Sequence, residues 1–136
     1  MKHYNKTLTT LLAALFGGFG LHRLYLHGIK DRWLWLHLSS WLLAGLLYAT
    51  HQTMLMRFCL SPAIISILIG LLVALMTGVT PDEKWDARYN PESSRKSNSG
   101  WPLALLLVLT LMAGATALIA ALARMMDLIL TGGAFG

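Results

Sequence analysis

Two stretches of 21 residues, Cys59 to Val79 and Leu103 to Ala123, contain no charged side chain. A helix rises about 1.5 Å per residue, so about 20 apolar residues carry it across the hydrocarbon core of a bilayer. Two further apolar segments precede them, at about 7–26 and about 33–50. Only 12% of the 136 residues are charged and 56% are hydrophobic, whereas soluble domains carry about 25% charged residues. The sequence therefore predicts an all-α, polytopic integral membrane protein with about four transmembrane helices.

The polar residues fall between these segments. Lys30 and Arg32 lie just before Trp33 and Trp35, which suit an interfacial aromatic belt, and Tyr48 marks the far side of the second segment. Thr80-Pro81-Asp82-Glu83 reads as a capping box with proline at the first helical position. It is expected to start a short helix over 81–90 that lies in the membrane interface, with Trp85 and Tyr89 one turn apart. Pro91 to Gly100 reads as a polar linker with nothing to bury, and 101–136 as a C-terminal transmembrane helix.

The first segment contains Gly17-Gly18-Phe19-Gly20-Leu21-His22-Arg23-Leu24-Tyr25-Leu26-His27-Gly28. This run resembles the signature of the TM2 domain, with Leu24 where the family usually has Phe and His27 displacing a glycine by one position. The resemblance implies a membrane module over 1–90, opening with a hairpin of two transmembrane helices joined by a tight basic loop. It also points to stand-alone bacterial members, hence to the bacterial inner (cytoplasmic) membrane. Gly17, Gly18, Gly20, His22, Arg23, Tyr25, Lys30 and Arg32 are the motif residues expected to make partner or lipid contacts.

Spacing adds two expectations. Ser66, Gly70, Ala74 and Gly78 form a ladder of small residues along one helix face, the pattern that lets two backbones approach, in this chain or in a second copy. His37 followed by Trp41 resembles the His-x-x-x-Trp gate of the influenza matrix proton channel. The structural reading of Arg23 is a pairing with Asp31 or a helix C-terminal carbonyl that fixes the hairpin; the functional one is a contact to a lipid phosphate or a partner carboxylate.

No Ser-His-Asp, Cys-His or Walker arrangement is visible, and with the lone Cys59 no intrachain disulfide or cysteine metal site is available. The net charge of +5 comes from short basic clusters beside apolar runs, which argues for lipid and topology rather than nucleic acid. The chain is thus expected to be non-enzymatic, without metal or cofactor, its partners being the bilayer and a second copy or another membrane protein. A pore around His37 and Trp41 and an anionic-headgroup binder using Arg23, Lys30 and Arg32 are the alternatives. Counting Lys and Arg beside four spans favours cytoplasmic loops at 27–32 and 80–100, with both termini on the opposite side.

Overall fold

A computed structural model describes residues 3–49 and 61–134. Thr50, the loop holding His51 and Arg57, and Cys59 lie outside the described residues. Among those described there is no strand. The helices are α1 (Lys6–Phe16), α2 (Leu21–His27), α3 (Arg32–Ala49), α4 (Ser61–Val79), α5 (Asp82–Tyr89) and α6 (Trp101–Thr131), with a 3-10 turn at Gly17–Phe19.

The first apolar segment is not one spanning helix. α1 is 11 residues, about 16 Å, and ends in the 3-10 turn. Gly20 then takes φ +74°, a left-handed conformation that costs side-chain-bearing residues energy, and it starts α2 in a new direction. α2 runs back beside α1: the Tyr25 hydroxyl accepts from the Asn5 backbone N–H, and the Tyr4 and Tyr25 rings meet edge to face at 5.5 Å. The hairpin expected between two spans is therefore made within the first segment and turns at the glycines. The basic loop at 28–31 joins α2 to α3, where Asp31 caps the Trp33 backbone N–H at 2.9 Å.

α4 is the central element, packed by α1, by the glycine turn, by α3 and by α6. Its small-residue ladder faces this chain's own helices. Ser66 and Ala74 are buried, Gly70 meets Gly17, and Gly78 lies against Leu107 of α6. A second copy is thus not what this ladder packs against.

Among the described residues, two helices, Pro62–Val79 and Trp101–Thr131, are long and apolar enough to cross a membrane, fewer than the four expected. The first segment fails because it folds back. α3, 18 residues or about 27 Å, is made less apolar by its tryptophans, His37, Ser39 and Ser40.

α5 and the following segment also depart from expectation. The Thr80 hydroxyl donates back to Met76 O at 2.6 Å, and Pro81 is the N-cap, so no capping box forms. Trp85 is buried, and its indole N–H donates to Tyr4 O at 3.1 Å. Asn90 clamps the same residue, accepting from Tyr4 N and donating to Tyr4 O.

The Pro91–Gly100 segment is a clasp rather than a free linker. Asp86 accepts from the Ser97 backbone N–H at 2.7 Å and its hydroxyl at 2.6 Å, while Asp82 accepts from Ser99 N at 2.7 Å and from its hydroxyl. Lys6, buried at the start of α1, completes it with a 2.8 Å ion pair to Asp82 and a bond to Ser99. His3, on the tail, bonds Ser93. The start of α1, the end of α4, α5 and the start of α6 are thereby tied at one polar end.

Hydrogen bonds from Asn90 and Ser97 hold the Asp86 carboxyl at about 2, well below its ordinary 3.8. For Asp82, burial pushes upward but is outweighed by the bonds from Lys6 and Ser99, so it too lies low. Both carboxylates bind protons more weakly folded than unfolded. For Asp86 the stabilisation is present above its ordinary 3.8 and is lost as pH falls toward about 2, and Asp82 acts in the same direction. The thermal midpoint in detergent is expected to drop over that window in wild type and to lose much of this acid dependence in Asp86→Asn. That variant is also expected to lose roughly 2 kcal/mol at pH 7, because an amide cannot accept all three bonds. A flat profile from pH 5 to 2 in wild type would refute it.

Candidate functional site at the glycine turn

At its deepest point the α1–α2 hairpin exposes backbone that helix geometry does not satisfy. Gly17 O accepts from Gly20 N at 3.0 Å, and Gly20 O accepts from Arg23 N and Leu24 N. Gly18 O receives no backbone N–H among the described residues and is supplied by side chains instead. The Trp41 indole N–H donates to it at 2.9 Å and the Ser66 hydroxyl at 2.6 Å. Irregular backbone at membrane depth is tolerated where protein groups solvate it in this way.

His37 completes the cluster through a bond between its Nδ1 and Ser66 Oγ. Ser66 has one hydroxyl proton and gives it to a carbonyl, so its oxygen must accept from His37, which fixes the proton on Nδ1. Trp41 stacks on Phe19 with centroids 4.5 Å apart. His37 is buried and Trp41 is engaged with Gly18, so within one chain this pair clamps the turn. A groove of about 350 Å³ between α3 and α4 reaches His37, Ser39, Ser40 and Ser66 from an otherwise apolar wall.

His22 lies at the centre, 1% exposed, its ring edge-on to His37 at 5.9 Å. Neither of its ring nitrogens has a hydrogen-bond partner among the described residues. No group of three metal-binding side chains occurs among them either.

The other motif residues face the polar end. Arg23 lies 3.5 Å from Asp31 and over the Trp33 ring, the structural pairing expected of it, and Asp31 also meets His27 at 3.4 Å. Lys30 and Arg32 flank the same loop and do not join the buried cluster. Ser66 was legible in the sequence only as a small residue; its hydroxyl as a donor to the turn had no local signal. Lys84 and Arg88, near Arg23, were legible only as the polar positions of α5. No protein-family model, curated protein or solved structure matches the chain.

Proposed function

We propose that the chain is a non-enzymatic interaction module of the bacterial inner membrane, in which α3, α4 and α6 cross the bilayer and the α1–α2 hairpin enters and leaves on one face. The observation that carries this reading is α6. It is 31 residues long, yet only 11% of its most apolar window is buried, and Leu109, Met112, Ile119 and Ile129 stand exposed. Each large apolar side chain left in water forgoes about 1.5–3 kcal/mol, so lipid or a partner is the medium that accommodates this surface.

Sidedness is supported by charge. Lys6, Arg23, Lys30, Arg32, Lys84, Arg88, Arg95 and Lys96 belong to the polar end, and Arg124 to the opposite one. This replaces the more even count that four spans implied, since the return of α2 brings the start of α1 to the same side as the 28–31 loop. The positive-inside bias then favours a cytoplasmic polar end and start of the chain, with the end of α6 outside. The likeness of 17–28 to the TM2 domain favours the same class of protein.

In a Cys59→Ser background, Ser94→Cys is expected to react with a membrane-impermeant maleimide only after the cells are opened, and Ile129→Cys before. The reverse pattern would refute the orientation, and equal labelling the membrane reading. A photocrosslinker at Met112 or Ile119 is expected to capture a protein partner, a second copy or another membrane protein, while one at buried Thr110 captures none. Lipid adducts alone at the exposed positions would remove the interaction role.

A further inference from the structure

We propose that a groove between α2, α4 and α5 at the polar end binds an anionic phospholipid, its phosphate on Arg23, Lys84 and Arg88 and its acyl chain along Val73 and Met76. The groove encloses about 260 Å³ and is lined by these residues, with Thr80 at its rim. It stands where α4 leaves its apolar run and α5 begins, so its upper wall is basic and its lower wall apolar. A free anion would use only the upper wall; a phospholipid uses both.

The charges themselves indicate an anion. Lys84 and Arg88 are exposed, one helical turn apart, and no carboxylate among the described residues pairs with either. Like charges at this spacing repel each other within a helix. Of the three carboxylates of the same helix, Asp82 and Asp86 are turned to the clasp and taken by Ser99 and Ser97, and Glu83 lines a different groove beside them and pairs with neither cation. Arg23 arrives from a different element, shares Asp31 with His27, and keeps 29% of its side chain exposed. Three cations converge from two helices with less than one full counter-charge between them. Their guanidinium forks and ammonium suit phosphate oxygens.

The assignment rests on the membrane reading above. The test is native mass spectrometry of the full chain released from detergent after mixing with equimolar phosphatidylglycerol and phosphatidylcholine. Wild type is expected to retain phosphatidylglycerol preferentially. The double variant Lys84→Ala/Arg88→Ala is expected to lose that retention by about tenfold or more, given about 1 kcal/mol per surface cation. Arg95→Ala/Lys96→Ala, which removes equal charge from the clasp segment, is expected to retain it as wild type does.

Equal retention of the two lipids by wild type would overturn the site, as would an equal loss in the Arg95/Lys96 variant, which would mean diffuse attraction. Displacement of bound lipid by equimolar glycerol 3-phosphate would assign the groove to a free phosphate and overturn the lipid. Failure of the maleimide pattern would instead strike the membrane reading, so the two failures are distinguishable.

Discussion

Gly70→Ala and Gly17→Ala are each expected to destabilise the protein in detergent by about 3 kcal/mol, the upper end for overpacking, while Gly45→Ala leaves it unchanged or up to about 1 kcal/mol more stable. A Cβ on Gly17 would sit 2.5 Å from Gly70 Cα, and one on Gly70 2.5 Å from the Gly17 carbonyl carbon. Both obstacles are backbone, so no rotamer change relieves them. The α1–α4 crossing would have to open, carrying with it the turn that Ser66 and Trp41 hold. Gly45 has no neighbour within 4 Å of an added Cβ, and there the substitution only improves helix propensity. Gly20→Ala is expected to fall between, combining a left-handed φ with a Cβ placed 3.2 Å from His37 Cβ. The measurement is the thermal or SDS-unfolding midpoint followed by circular dichroism. A Gly17→Ala protein that melts with wild type would disprove the crossing.

That crossing also marks how far the sequence could be read. The four-residue repeat of small side chains on α4 and the glycines of the turn announced close backbone approach, and the structure brings these two features against each other at Gly17 and Gly70. What the sequence concealed was direction. Residues 7–21 carry no charge and Leu24 to Leu26 resume the apolar run, and counting treats a helix that crosses and one that folds back alike. The distinction is made by Gly20, which takes a positive φ in a turn whose Gly18 carbonyl is held by donors 23 and 48 residues further along, Trp41 and Ser66.

The clasp was hidden for a related reason. Pro91 to Gly100 has no apolar surface, and composition reports what a segment can bury, not what it can donate. Ser97 and Ser99, two apart, match Asp86 and Asp82, four apart on a helix, only once α5 is laid beside the extended chain. His37 and Trp41 were legible as polar intruders in an apolar helix. Their partners, Ser66 and Gly18 O, lie on other elements and could not be inferred from spacing.

Trp41→Phe/Ser66→Ala is expected to be far more damaging than either single change, because the pair shares one carbonyl. Trp41→Phe removes one donor and keeps the ring against Phe19, a loss of about 1 kcal/mol. Ser66→Ala removes the other donor and also deprives His37 Nδ1 of its acceptor, a loss of about 2 kcal/mol. Each single variant leaves Gly18 O with one partner. The double variant leaves Gly18 O without either of these donors in an apolar surrounding, and its cost is expected to exceed the sum of the singles by about 1–2 kcal/mol. Ser39→Ala is the control: that hydroxyl donates only within its own helix, to Leu36 O, and its removal is expected to change stability by less than about 0.5 kcal/mol. A double-mutant cycle by SDS unfolding gives the coupling directly. Strict additivity would mean that Gly18 O finds another donor, and that the glycine turn does not depend on these two side chains.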